Sequence, residues 1–515
     1  MNEQKTIAIS EIEDKHELIA EVADKIWEYA ELSLQEYKSC DLYCDTLTKE
    51  GFLVEKGICD IPTAFKASFG NGKPVIGILA EYDALSGLSQ EGGALEHSPV
   101  IQGGGGHGCG HNLLGAGAFA AAFGIKKYLE SAGENKGTVI LYGCPGEEGC
   151  ASKAFMARDG EWDDIDAALT WHPEDCNEVV TGSSNSCIQV QYTFHGIASH
   201  ASATPDKGRS ALDAVELMNI GVQFLREHMS DRARVHYAIT DAGGVSPNVV
   251  QAKAQVLYMV RSNHVSEAVE LQKRVDKIAE GAALMTETTY ERKFVDGLSD
   301  TVTNRVLERV LYKNFEELGV PEYTKEELLY AKKLSMTYED SDHTPGLGSA
   351  FDIMYAENVK GLRGEYAKQC REAYESLGDN EEPEDNNIKT VAGAKASDKR
   401  VGGMNGFLLP HFEGEAFEPG STDVGDVSWC CPTAQIHVAA WPNGCPGHSW
   451  QNVSSARTEI GHKAAVHAGK VMCAAAIDLF ENQELLTEAK EEFKKRTAGG
   501  YVCPIPKDAK AEAVT

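Results

Sequence analysis

The chain has 515 residues, of which 42% are apolar and 25% charged, a globular balance that excludes a fibrous or disordered protein. Its 48 basic and 79 acidic residues leave a formal charge of −31, a field that repels nucleic-acid phosphates and anionic membrane surfaces. No stretch approaches the ~20 apolar residues of a membrane-spanning helix, and the opening MNEQKTIAIS lacks a basic segment followed by an apolar one. The 14 cysteines show no CxxC spacing, so the expectation is a cytoplasmic chain with reduced thiols.

In chain order, Leu18, Val22, Ile26 and Tyr29 recur at helical spacing, and the first 50 residues read as helix. Residues 75–80 form a short continuous apolar run, as in a strand buried on both faces. Glycines 103–106 lead into a stretch from His111 that is small and apolar all round, a buried helix that admits close neighbours. Residues 138–142 and 166–170 read as further buried strands. Such strands alternating with helices predict a mostly parallel sheet with helices on its faces.

From Cys187 the period changes. Ile188, Val190, Tyr192 and Phe194 alternate with polar residues, the pattern of a strand with one buried face. A striped helix follows, with Ala211, Val215, Met218, Val222 and Leu225 on one side. Strands near 235–240 and 254–261, a helix over about 266–285 and a strand near 288–294 complete a β-α-β-β-α-β order, which is ferredoxin-like. The prediction is an α/β catalytic domain in two parts, 1–186 and 300–515, with an inserted α+β dimerisation or lid domain at 187–299. The insert is expected to pair two chains, since its strand edge and striped helix leave a face to be covered. Helix resumes over about 301–318, and the acidic, breaker-rich stretch 376–387 reads as a solvated loop. Residues 433–441 read as the last sheet strand, a long helix starts near Ser454, and the tail 504–515 reads as frayed.

Ligands of open α/β sheets bind beyond the carboxyl ends of the strands. Glu81 and Asp83 follow 75–80; Glu147 and Glu148, in PGEEG, follow 138–142; His172 follows 166–170; His448, in PGHSW, follows 433–441. The segment HGCGHN, with Cys109 and His111, precedes the buried helix. Together these supply Cys, His and Glu donors in the number a metal site needs. Glycines around Cys109 let it and His111 face one ion. The side chains of Glu147 and Glu148 diverge, so one can bind metal while the other reaches a water. Taken singly, His172 or His448 would read as a satisfied imidazole and the Glu pair as solvated. The glycine run lacks the GK[ST] ending of a phosphate loop.

The stretches GHGCGHNLLGAGAF, GCPGEEGCASK, TWHPED, HGIASHASATPDKGRSALDAVELM, SPNVVQAKAQVLYMVR, GSTDVGDVSW and PGHSW occur in that order. With them the chain resembles the aminoacylase/carboxypeptidase metallopeptidase superfamily, in its amidohydrolase branch, over about residues 20–300 and 400–475. Asn112 stands where auxin-conjugate hydrolases carry Asp, and with GSTDVGDVSW and PGHSW it looks most like the aminobenzoyl-glutamate hydrolases of the branch. Region 330–400 is longer and more acidic than the family pattern, and nothing carries over onto it. The resemblance implies Cys109, His111, Glu148, His172 and His448 as ligands of one or two divalent ions, Mn²⁺ or Zn²⁺, and Glu147 as general base. It implies His200 as a histidine that reaches across a dimer to the neighbouring active site, and Asn248 and Arg261 as holders of a substrate carboxylate. The implied reaction is hydrolysis of the amide of an N-acyl amino acid, aminobenzoyl-glutamate foremost, by a homodimer or by a heteromer with a related subunit. A metallo-carboxypeptidase or dipeptidase would keep the same ligands with a different pocket. A non-catalytic metal-binding protein would have no use for Glu147.

Overall fold

The computed structural model describes residues 1–133, 135–338, 403–412 and 416–512. The acidic stretch 376–387, read above as a loop, lies outside the described residues. The strands are β1 (Leu53–Lys56), β2 (Phe65–Asn71), β3 (Val75–Ala80), β4 (Gly137–Gly143), β5 (Ala167–Glu174), β6 (Glu178–Val179), β7 (Ser183–Ser184), β8 (Ser186–His195), β9 (Arg234–Asp241), β10 (Lys253–Ser262), β11 (Thr289–Leu298), β12 (Phe417–Glu418) and β13 (Thr433–Ala439).

The larger sheet runs β1-β2-β4-β3-β5-β13-β6. Its centre, β4-β3-β5-β13, is parallel, and β1, β2 and β6 add antiparallel edges. The apolar runs predicted as strands are these central four, buried on both faces as a parallel sheet requires. Two corrections concern the edges of that reading. β5 continues to Glu174, because β13 pairs with it residue by residue through Ala439, so Trp171 and His172 lie inside the strand and not after it. β13 itself stops at Ala439, short of Trp441.

Helix His111–Ala132 lies on this sheet with helices Glu3–Asp14 and Glu459–Glu481 against it, in one core where alanines stand among the larger apolar side chains. Small residues let the backbones approach; a Cβ on Gly469 would sit 2.5 Å from Ala120 Cβ. The first 50 residues form three helices, Glu3–Asp14, His16–Tyr29 and Tyr37–Lys49. The C-terminal helix expected from Ser454 is likewise broken, into Trp450–Ser455, Glu459–Glu481 and Gln483–Arg496. The tail does not fray over its described part. Ile505 is buried, the Arg158 guanidinium donates to the carbonyls of Pro506 and Ala509, and Tyr501 donates to Asp426 at 2.6 Å.

The second sheet is antiparallel throughout, in the order β11-β8-β10-β9. Helices Ala211–Leu225 and Val265–Thr286 cover one of its faces in a separate core. This is the β-α-β-β-α-β order with ferredoxin-like strand arrangement. The opposite face contributes Cys187, Met259 and Leu298 to the core under the GEEG segment of the larger body. Among the described residues no helix is long and apolar enough to cross a membrane.

Candidate metal centre

Glu81 and Asp83 lie directly beyond β3, and Glu147 and Glu148 lie in a one-turn helix, Glu147–Cys150, beyond β4. His111 opens the long buried helix behind Gly110, whose φ is +74°. A Cβ on Gly110 would lie 2.8 Å from Pro173 and 3.0 Å from Trp441. Glycine therefore lets the Cys109 turn settle against β5. Cys109 Sγ comes to 3.3 Å from His172 Nε2. His172 Nδ1 donates to the Pro173 carbonyl at 2.8 Å, which leaves the Nε2 lone pair pointing at the thiol. His111 Nδ1 is 2.9 Å from Asp83 Oδ1, and its Nε2 is 3.3 Å from Glu81 Oε2. Glu148 Oε1 is 3.2 Å from His448 Nε2.

The donor atoms of Cys109, His111 and His172 all lie within 4.8 Å of one another, as do those of Cys109, Glu148 and His448. The structure thus brings the five predicted donors together around Cys109. Glu81, His111 and Glu147 form a third such group, so Glu147 adjoins the cluster. Buried Nε2 of His111 and Oε1 of Glu148 make no hydrogen bond. Two orphaned polar atoms aimed among a thiol and imidazoles fit a thiophilic or borderline divalent ion.

Burial and neighbouring charges shift the groups of the cluster. Burial holds His172 well below its ordinary range, so the ring is neutral. Burial pushes the Cys109 thiol up, against the pull of His111. Burial opposes charge on His111, but Cys109 and Asp83 hold its pKa well above the ordinary value. Burial, then Glu81 and Glu148, raise Glu147 far above the usual carboxylate range. The Asp83 carboxylate also accepts from Ser33 Oγ at 2.9 Å and from the Glu148 N–H at 3.0 Å, which ties the β3 and β4 loops together.

Four supporting residues lie outside the predicted ligand set. Glu81 and Asp83 are visible in sequence as strand-end carboxylates, but nothing local shows that they grip His111. Glu36, buried and pushed up to about 8 by burial and by Asp83, accepts from the Gly146 N–H at 2.9 Å and so fixes the entry to the Glu147 turn. Lys153 is buried completely, with Nζ 2.7 Å from Glu81 Oε1 and 2.5 Å from Asp423 Oδ1. In sequence Lys153 looks like a surface lysine; only the tertiary fold surrounds it with carboxylates.

The residues expected on the insert stand apart. His200 and Asn248 are exposed neighbours, and His200 Nδ1 accepts from the N–H groups of Ser202 and Ala203. Arg261 lies on the β10 face turned away from the two helices, with Nε 3.2 Å from Met259 Sδ. None of the three makes a hydrogen bond or ion pair to the Cys109 cluster of its own chain. Asn112 donates to the carbonyls of Ala23 and Ala456, a packing role.

The profile of Peptidase family M20/M25/M40 matches residues 77–397. The chain belongs to this family. It is 44% identical over 499 residues, 96% of each chain, to a subunit of the p-aminobenzoyl-glutamate hydrolase of Escherichia coli K12. It is 27% identical over 363 residues to Xaa-Arg dipeptidase of Mus musculus, covering 68% of this chain and 80% of that one. A solved dinuclear metal binding peptidase of the M20 family from Bacillus subtilis has the same fold, with a TM-score of 0.53 at 15% identity, covering 91% of this chain and 99% of that one. As a member of the M20 family the chain is a metal-dependent amidohydrolase or peptidase.

Proposed function

We propose that this M20 enzyme hydrolyses the amide of an N-acyl amino acid, with p-aminobenzoyl-glutamate as its first substrate and aminobenzoate and glutamate as products. Cys109, His111, Glu148, His172 and His448 would hold one or two Mn²⁺ or Zn²⁺ ions. The observation that carries the reading is the convergence of these five donors beside the half-buried Glu147. The substrate is supported by the 44% likeness to one subunit of that hydrolase.

A divalent ion bound there supplies the Lewis acidity that polarises a carbonyl and acidifies water. The chain's own residues do the rest. Asp83 orients the His111 ring and the Pro173 carbonyl orients the His172 ring, each presenting Nε2 inward. Glu147 would accept a proton from the attacking water at its carboxylate and deliver it to the leaving nitrogen. Asn248 and Arg261 are proposed to hold the substrate carboxylate, and His200 to serve the active site of a partner chain. Their place on the insert, free of their own chain's cluster, is in keeping with such roles. The proposed division into 1–186, 187–299 and 300–515 is supported by a second sheet whose strands run between Ser186 and Leu298. The Escherichia coli relative is named as one subunit of its hydrolase, which favours a heteromer as the second possible assembly beside a homodimer.

The test is to strip the protein of metal, titrate it with Mn²⁺ or Zn²⁺, and assay aminobenzoyl-glutamate, other N-acyl amino acids and dipeptides. Turnover should return at one or two equivalents, with aminobenzoyl-glutamate the best substrate. Faster turnover of a dipeptide would establish the peptidase reading instead, and no turnover of any substrate at full loading would overturn both.

A further inference from the structure

A second group of donors stands one strand away from the Cys109 cluster. His437 on β13 pairs in register with His172 on β5 and with Glu178 on β6. One row of side chains therefore crosses three neighbouring strands, with the His172 and His437 ring centroids 6.1 Å apart. His437 Nδ1 is 2.9 Å from Glu178 Oε1. The Cys176 thiol joins them, and the three donor atoms lie within 4.8 Å of one another. Cys176 is buried, and the other two are half-buried.

The segment carrying two of these donors is held rigidly. Asn177, between Cys176 and Glu178, is fully buried and donates to the carbonyls of Asn405 and Phe407, at 2.7 and 3.2 Å, while its Oδ1 accepts from the Ala439 N–H at 3.0 Å. The surroundings are acidic. Glu174, Glu178 and Glu418 bear on His437, and Glu174 and Asp175 also bear on Cys176.

We propose that Cys176, Glu178 and His437 bind a divalent ion of the zinc class, at a site separate from that of the Cys109 cluster. The donor set is a thiol, an imidazole and a carboxylate from a rigid loop and two strands, which is zinc chemistry. The 2.9 Å hydrogen bond between Nδ1 and Oε1 need open by only about half an ångström for both atoms to bind one tetrahedral ion at ~2.0–2.2 Å. Binding releases the Cys176 thiol proton to solvent, and the His437 ring proton moves from Nδ1, where it faces Glu178, to Nε2. His437 Nε2 then carries the ring proton and donates to the Gln435 amide oxygen, the amide now 3.2 Å away being turned end for end. The ion would pin the two-residue edge strand β6 to β13 beside His172. This inference stands independently of the substrate proposed above.

The experiment uses the full chain, metal-depleted, and Co²⁺ alone as probe. In Cys109→Ser protein, Co²⁺ should raise a thiolate-to-cobalt absorption band that saturates at one equivalent per chain, and adding Cys176→Ser should abolish it. In the Cys109-intact protein loaded with Zn²⁺, Cys176→Ser and His437→Gln should each lose one bound ion per chain by elemental analysis while keeping the remainder. His437→Gln leaves the thiol in place, so its loss of the ion cannot be put down to removal of Cys176. A band in Cys109→Ser that survives Cys176→Ser, the absence of any band there, or an unchanged ion count in both single variants would overturn the proposal.

Discussion

Glu147 and Glu148 are adjacent in the chain but face different chemistry. Glu148 Oε1 meets His448, whereas the half-buried Glu147 faces Glu81 and His111, and burial with Glu81 and Glu148 raises its pKa. Glu147→Gln should keep metal content and fold, because it removes a proton carrier and not a donor, while turnover falls ~10²–10⁴-fold. Metal analysis and kcat on one preparation check this, and near-normal turnover would place the base elsewhere. Lys153 is a different kind of residue, a buried cation between two carboxylates. Lys153→Met leaves Glu81 and Asp423 facing each other without compensation and should cost ~3–5 kcal/mol, read from the urea unfolding midpoint. Asp296, where β11 meets the larger body, gives a pH dependence. Burial pushes it up to about 7, although Gln189 donates to its Oδ2 at 2.7 Å. Unfolded, it titrates near ~3.9, so between the two values the native state binds the extra proton. Relative to its level below ~4, stability falls as pH rises through about 7, by up to ~4 kcal/mol from this group. Asp296→Asn should flatten that decline in unfolding curves at pH 5 and pH 8.

At the scale of elements, the strands are legible where burial on both faces demands continuous apolar runs, as in β3, β4 and β13. β2 escapes that signal, although Phe65, Ala67 and Phe69 alternate correctly for a strand with one buried face. The breaks in the C-terminal helix are legible in principle. Ser449 and Asn482 accept from the N–H groups of Asn452 and Glu484, N-caps of the ordinary kind inside one long apolar pattern. The contact between helix His111–Ala132 and β5 is less forgiving than either. A Cβ on Gly117 would lie 2.4 Å from Trp171 Nε1, an atom already donating to the Leu114 carbonyl. Gly117→Ala should displace Trp171 and with it the neighbouring His172, at a cost of ~1–3 kcal/mol. A lowered melting temperature together with weaker metal retention is the expected result; unchanged metal binding would show that β5 absorbs the shift.

Among the described residues, most of the exposed large apolar side chains lie on the insert. On helix Ala211–Leu225, Ile220 is 56% and Phe224 72% exposed, and Leu217 extends the same stripe. β9, at the sheet edge beside that helix layer, exposes Tyr237 and Ile239. Such a surface suits the pairing expected of the insert. Ile220→Glu combined with Phe224→Glu should give a monomer by analytical ultracentrifugation with metal content intact. Loss of activity in that monomer is the result expected if His200 serves the partner's site, and a dimer that persists would move the interface to another face.

The sequence by itself determined the central strands and the ferredoxin-like insert, which rest on local patterns of apolar runs and a change of period. The five proposed ligands were named through the resemblance to the metallopeptidases, whose motifs the sequence carries. The tertiary structure decided everything that depends on what faces what across long separations. Asp83 and Glu81 grip His111, Lys153 meets Asp423 across 270 positions, and Cys176 finds His437 beside His172. A carboxylate or lysine acquires such a role from its buried neighbours, since removing water makes every unpaired charge costly. Those neighbours are set by sheet order and register, which bring β13 between β5 and β6.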